Sequence, residues 1–275
     1  MIQFANAKIN LGLHIINKRP DGYHNLETVF YPIPLYDVVE VVRADQIRFF
    51  PSGLPIGVQA EEQNLCIRAY HLLKADFDLP SVEIHLHKSI PIGAGLGGGS
   101  SDAAATLRAL NEEFQLGLAA ERLEEYAGRL GADCPFFIRN QPVFASGTGT
   151  DFEPVDLTLK GKYLLLLWPG LHISTAEAYR TCIPRGTGGD LKNLIQQPIS
   201  QWRNTLGNDF ESSLFPTYPI LTRIKAKLYD MGAEYAAMSG SGSALFGLFD
   251  RAVQEEDEKQ LNEMVQEALI YRLSL

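Results

Sequence analysis

Pro91-Ile92-Gly93-Ala94-Gly95-Leu96-Gly97-Gly98-Gly99-Ser100-Ser101-Asp102 carries five glycines in twelve residues. The alternating run Val82-Glu-Ile-His-Leu-His87 before it reads as a strand, and Ala103, Ala104, Ala105, Thr106 and Leu107 after it favour a helix. A glycine loop between strand and helix is a recurrent phosphate site. Glycine lets backbone N–H groups approach the oxygens, and a helix start adds unpaired donors and roughly half a positive charge. Ser100 and Asp102 are both candidates to cap that helix, and Ser100 and Ser101 to reach phosphate or a bound metal ion. The competing reading is a loop whose glycines serve only tight turns; five glycines with two serines at such a junction weigh against it. Gly93-x-Gly95-x-x-Gly98 also satisfies the dinucleotide-binding pattern, whereas the P-loop pattern fails because no lysine precedes Ser100.

The rest of the composition narrows the class of ligand. A chain of 275 residues with 45% hydrophobic and 21% charged residues is an ordinary globular protein with room for two domains. Its net charge of −9 argues against a nucleic-acid binder and against attachment to anionic membranes. A phosphate compound must then be held in a local pocket, as a small-molecule substrate would be. No apolar run approaches the ~20 residues of a membrane span. Asn6, Lys8 and Asn10 interrupt the N-terminus where a signal peptide is continuously apolar. Cys66, Cys134 and Cys182 are odd in number and far apart, which favours reduced thiols and a cytoplasmic location. The histidines lack zinc-like spacing; His85 and His87 share a strand face, which suits a structural role.

Residues 3–17 alternate as a strand, with Ala5, Ala7, Ile9, Leu11 and Leu13 on one face and Asn6, Lys8, Asn10 and Gly12 on the other. That polar face suits a wall facing a substrate. Arg19-Pro-Asp-Gly-Tyr-His24 is a turn. Residues 36–50 read as a strand hairpin, and residues 64–77 as a helix capped by Asn64. The helix after the glycine loop extends to about residue 114, and a further helix over 119–130 closes at Gly131. Residues 142–146 are a strand and 146–150 a second loop, with a domain boundary expected near 150–160. A strand over 163–168, a helix over 174–181, a glycine-rich loop over 184–190 and a helix over 219–231 follow. Strands at 234–238 and 244–249 pair around Ser239-Gly-Ser-Gly-Ser243. The tail over 255–273 reads as one amphipathic helix, with Leu261, Met264, Val265, Ala268 and Leu269 as its stripe.

Ala7-Lys-Ile-Asn-Leu-Gly-Leu13, the glycine-serine loop and Met238-Ser-Gly-Ser-Gly-Ser243, in this order, resemble the GHMP small-molecule kinases. The resemblance is strongest to the branch acting on 4-diphosphocytidyl-2-C-methyl-D-erythritol. It is carried further by Arg19-Pro-Asp-Gly-Tyr-His24, Gly97-Gly-Gly-Ser-Ser101 and Gly131-Ala-Asp-Cys-Pro-Phe-Phe137, and it spans nearly the whole chain. It implies a two-domain α+β fold. A ribosomal-protein-S5-like domain over 1–155 would bind ATP, and a ferredoxin-like domain would occupy 156–275, with the ligands in the cleft between them. The implied reaction moves the γ-phosphoryl group of ATP to the substrate's 2-hydroxyl, with magnesium expected alongside, in a monomer or weak homodimer.

Matching the motifs residue by residue gives an expected site. Asp133 would accept or orient the hydroxyl proton, and Lys8 would sit beside it, keeping the carboxylate ionised. The loop from Pro91 through Ser101 would hold the ATP phosphates, with Ser101 as the metal contact, although either serine suits that role. Tyr23 would stack on cytosine, His24 would bond its polar edge, and Asn10 would contact the methylerythritol. Tyr179 is a candidate second stacking aromatic, against the alternative of a core tyrosine. Gly240 and Gly242 would shape backbone near the diphosphate or the moving phosphoryl group. Cys134 stands where valine is also expected and reads as packing. Three rival readings compete with it. A dinucleotide-dependent oxidoreductase lacks a clean βαβ unit ending in an acid ~20 residues on. A non-catalytic relative is disfavoured by intact Lys8 and Asp133. A homoserine or mevalonate kinase is disfavoured by the Gly22-Tyr23-His24 turn.

Overall fold

The computed structural model describes residues 1–56, 63–186 and 190–275. The chain forms two compact units, each assembled from separate segments: 1–8, 35–92 and 97–141 in the first, 9–34, 93–96 and 142–275 in the second. Two long strands, β1 (Ile2–Lys18) and β2 (His24–Arg43), run through both. The boundary expected near residue 155 falls inside the second unit's last segment. Alternation did find β1, but both of its faces are buried: Asn6, Lys8 and Asn10 are no more than 5% exposed.

In the first unit the later half of β2 pairs antiparallel with β4 (Val82–Lys88), from Val38↔His87 to Arg43↔Val82. β3 (Arg48–Gly53) runs parallel to β4 on its other side. The expected hairpin over 36–50 is therefore wrong: β4 lies between its two arms. Residues 44–47, Ala-Asp-Gln-Ile, contain none of the Asn-Gly or Asp-Gly pairs that force a tight hairpin, and periodicity does not name a strand's neighbour. Four helices cover one face: α1 (Leu65–Lys74), α2 (Gly98–Glu113), α3 (Ala120–Gly128) and α4 (Phe136–Arg139). Val39, Val41, Ile84 and Leu86 from the strands pack with Tyr70, Leu73, Leu107, Leu110 and Tyr126 from the helices. Asn64 caps α1 as expected, its Oδ1 accepting from the Cys66 N–H at 2.9 Å. α3 stops at Gly128, with Arg129 rather than Gly131 as its cap.

In the second unit the earlier half of β2 pairs with β5 (Val143–Ser146), which pairs with β6 (Asp151–Pro154). A separate antiparallel sheet has the order β10 (Leu269–Ser274), β7 (Tyr163–Trp168), β9 (Leu245–Phe249), β8 (Tyr235–Met238). The chain enters this sheet as strand, helices, two strands, helix, strand, which is the ferredoxin-like arrangement. Its helices are α5 (Thr175–Thr181), α6 (Leu191–Leu194), α7 (Ile199–Thr205), α8 (Asp209–Thr217), α9 (Pro219–Asp230) and α10 (Glu255–Met264). Of these α6, α7 and α8 were not legible in the sequence. Part of the expected loop over 184–190, residues 187–189, lies outside the described residues.

The tail departs from expectation. α10 ends at Met264, and Leu269-Ile-Tyr-Arg-Leu-Ser274 becomes the edge strand β10, paired with the whole length of β7. The apolar stripe suited a helix, yet leucine, isoleucine and tyrosine fit a half-buried strand as well. The unpaired edge of β7, whose Leu164 to Leu167 are at most 1% exposed, supplies the hydrogen bonds that decide the matter. Because β7 is central in this sheet, Leu165→Ala should destabilise the fold by ~2–5 kcal/mol. The check is the urea midpoint; a change below about 1 kcal/mol would mean the core closes around the loss.

Candidate functional site

In the first unit Lys8 and Asp133 meet, Nζ to Oδ2 at 3.5 Å. The lysine side chain is 5% exposed and the aspartate 35%, so the carboxylate faces outward from a buried ammonium. Burial pushes the Lys8 pKa down, and the Asp133 carboxylate opposes that push. Asp133 lies in the turn before α4. Its neighbour Cys134 is buried, its thiol pushed up to about 11 by burial, and it packs inward rather than serving as a nucleophile.

Gly97 fixes how the loop reaches this pair. It stands at φ +71° as the residue before α2, and a Cβ there would lie 2.7 Å from the Phe137 ring and 3.1 Å from Lys8 Cγ. Ser100 and Asp102 therefore do not cap the helix; both lie inside it. The first helical bond runs from the Ser101 N–H to the Gly97 carbonyl at 2.9 Å. The N–H groups of Gly98, Gly99 and Ser100 precede it and have no carbonyl to bond within the helix. The Ser101 hydroxyl is buried and unpaired. Beneath it Lys88, 2% exposed, bonds Asp102 at 2.8 Å and also Asp37. Burial pushes the Asp102 carboxyl up to about 7 despite Lys88, and burial of Lys88 is outweighed by the two carboxylates, which raise its pKa.

In the second unit the loop residues Gly93 to Leu96 meet the serine-glycine turn. The Ser239 hydroxyl donates to the Gly95 carbonyl at 2.9 Å, and the Ala244 N–H donates to the Ala94 carbonyl at 3.1 Å. Gly95, at φ +81°, must be glycine, since a Cβ would fall 2.0 Å from the Ser239 carbonyl oxygen. Asn208 holds the turn from the other side, its Nδ2 donating to the carbonyls of Met238 and Gly240 at 2.8 Å each. Gly240 and Gly242 both have positive φ. The Asn10 backbone N–H donates to Ser239 Oγ at 3.3 Å, and its side chain donates to Thr28 Oγ1 at 2.9 Å. Tyr23 projects from its turn, 69% exposed. His24 stacks on Tyr179 with ring centroids 4.9 Å apart, and Tyr179 sets its edge against Phe210.

Residues 64–141 match the GHMP kinases N terminal domain, and residues 190–267 the GHMP kinases C terminal. This chain belongs to the GHMP kinase family. It is 56% identical over 253 residues to 4-diphosphocytidyl-2-C-methyl-D-erythritol kinase of Bacteroides fragilis, covering 90% of this chain and 92% of that one. The enzyme of the same name from Parabacteroides distasonis is 52% identical over 258 residues, covering 94% and 95%. A crystal structure of 4-(cytidine 5'-diphospho)-2C-methyl-D-erythritol kinase superposes with a TM-score of 0.83 at 32% identity, covering all of both chains. The homoserine kinase of Cytophaga hutchinsonii superposes at 0.72 with 16% identity, over 98% of this chain and 94% of that one; it shares the fold alone.

Sequence reading of this GHMP kinase missed Thr28, Asn208 and the Asp37–Lys88–Asp102 cluster. Asp102 stands at the end of the glycine-serine loop, where its type suits a helix cap. The others belong to no glycine or serine motif, and nothing local in the sequence marks a long-range hydrogen bond. Among the described residues no group of three histidine, cysteine or acidic side chains could hold a metal, and no helix is long and apolar enough to cross a membrane.

Lys8 has a consequence for stability. Its folded pKa lies below its unfolded value, so the stability of the neutral form is present above the unfolded pKa and lost as pH falls through the folded one. Near neutral pH the buried ammonium is a cost. Lys8→Met should match or exceed the parent's melting temperature at pH 7, with the gain shrinking as pH rises. A loss of about 3 kcal/mol, the cost of breaking a pair that stabilises, would overturn this account.

Proposed function

We propose that this GHMP kinase transfers the γ-phosphoryl group of ATP to the 2-hydroxyl of 4-diphosphocytidyl-2-C-methyl-D-erythritol. The products are ADP and the 2-phosphate, a step of the non-mevalonate route to isopentenyl diphosphate. One observation carries the reading: relatives at 52–56% identity over at least 90% of the chain bear that enzyme's name. Homoserine and mevalonate kinases, at 16% identity, share only the fold.

Each motif has a task in such a transfer. The moving group's charge must be neutralised and the attacking hydroxyl held in line with it. Asp133 accepts the hydroxyl proton or orients it, and the Lys8 ammonium beside it favours the ionised carboxylate. Pro91, Ile92, Gly93, Ala94, Gly95 and Leu96 carry the chain to the helix start. Gly97 turns it, and the N–H groups of Gly98, Gly99 and Ser100 bond phosphate oxygens. Gly240 and Gly242 keep side chains off the backbone of the serine-glycine turn, near the diphosphate. Magnesium would fit the unpaired, buried Ser101 hydroxyl as one ligand, with phosphate oxygens and water supplying the others, since among the described residues no group of three histidine, cysteine or acidic side chains could hold a metal. Bound there, it would neutralise phosphate charge.

Tyr23 is exposed and free to stack on cytosine, with His24 bonding the base edge and Asn10 contacting the alcohol. Burial, aided by Lys18, pushes the His24 pKa down, so its ring is neutral near pH 7 and can both donate and accept. Tyr179 acts through His24 by holding its ring. ADP release from the purified protein, measured against a panel of alcohols, tests the assignment. The cytidyl compound should be the good substrate; homoserine or mevalonate turned over as well would remove it.

Two variants probe the roles. Asp133→Asn should lower kcat by roughly 10²–10⁴ with ATP affinity kept, and a kcat within about threefold would exclude the role. Tyr23→Ala should weaken the cytidyl substrate about tenfold or more, stacking on a base being worth ~1–3 kcal/mol, and spare ATP. Equal weakening of both substrates would mean that Tyr23 does not read the base.

A further inference from the structure

The glycine loop is tied at both ends to one buried charge cluster. At its entry Asp37 Oδ1 accepts from the Ser89 and Ile90 N–H groups, at 2.6 and 2.9 Å. The other oxygen of Asp37 bonds the Lys88 ammonium, and that ammonium also bonds Asp102 Oδ2 at 2.8 Å, just past the loop's exit into α2. One lysine at the end of β4 thus joins β2, β4 and α2 around the loop. Gly98 seats the helix start on the cluster, since a Cβ there would come 2.9 Å from Ile90 Cγ2 and 3.3 Å from Lys88 Nζ.

Stability alone does not account for such a cluster. Two carboxyl groups share one ammonium, all at most 3% exposed, so the interior charges do not balance unless one carboxyl holds a proton. Asp102 Oδ1 is buried without a hydrogen-bond partner. Buried ion pairs of this kind are often replaceable by apolar side chains with no loss of stability. What apolar side chains cannot reproduce is the directional tie between the two ends of the loop.

We infer that Lys88, through Asp37 and Asp102, is a positioning residue for nucleotide phosphate, holding the loop ends so that the first N–H groups of α2 stand ready for it. The inference rests on the loop's proposed role in binding ATP, and not on which alcohol is phosphorylated. Preorganised donors bind an anion without first having to be ordered, so loosening the tie weakens phosphate binding specifically.

The test is calorimetric binding of ATP and of adenosine, which lacks phosphate, alongside thermal melting. Lys88→Met/Asp102→Ala removes the tie and leaves Asp37 its two backbone donors. It should melt within ~5 °C of the parent and bind ATP at least tenfold more weakly, with adenosine affinity unchanged. Asp102→Asn keeps an acceptor for Lys88 and should bind ATP within threefold of the parent. If the double variant does not fold, Asp102→Ala, with Lys88 still on Asp37, should lower ATP affinity about fivefold. A folded variant without the tie that binds ATP within twofold of the parent overturns the inference, as does equal weakening of ATP and adenosine. A parent that binds no ATP sinks both the inference and the phosphate reading. A parent that binds ATP but phosphorylates another alcohol, with the variants behaving as expected, upholds the inference and overturns only the substrate assignment.

Discussion

At Gly97 the backbone turns into the left-handed region within a side chain's reach of Phe137 and Lys8, and much of the first unit follows from that crowding. Only glycine passes there. Because the chain enters α2 through a residue with no side chain, no side-chain cap occupies the helix start, and its leading N–H groups stay available. The approach also places the loop against Lys8, whose ammonium is buried and opposed by a half-exposed carboxylate. A buried lysine held below its ordinary pKa is a poor contribution to stability, since burial disfavours the ammonium that faces the carboxylate.

The second unit meets the same steric problem in another way. Gly95 and the serine-glycine turn approach so closely that their backbones interlock, through the Ser239 hydroxyl and the Ala244 N–H. Asn208 supports the turn with two carbonyl contacts while its own Oδ1 caps α8 through the Phe210 N–H. A single amide side chain therefore couples a helix start to a turn far from it in sequence. The glycines give access, and the polar side chains around them give rigidity.

How much was legible depended on the range of the interaction. The glycine loop, α1 with its Asn64 cap, β7, the β8–β9 pair and the partnership of Lys8 with Asp133 were all readable, the last through family resemblance. The cap of α2 was misread because Ser100 and Asp102 are good capping residues by type, and only tertiary crowding at Gly97 displaces them. The supposed hairpin failed because β4, forty residues on, takes the inner place. The tail failed because a stripe of leucine and methionine fits two periods, and the open edge of β7 chose the strand. Asn208 and Lys88 escaped notice because each acts at long range, where one sequence carries no signal.

The position of β7 has a bearing on how the chain is made. This strand, Tyr-Leu-Leu-Leu-Leu-Trp, is the first of its sheet to leave the ribosome, yet both of its neighbours, β9 and β10, are encoded much later. During synthesis there is an interval in which an uncharged, fully apolar strand has two open edges. Pairing across such a separation is slow, because loop closure precedes any reward from contact. Shielding of nascent β7, by the helices made soon after it or by chaperones, is therefore what keeps those two edges from pairing wrongly before β9 and β10 arrive.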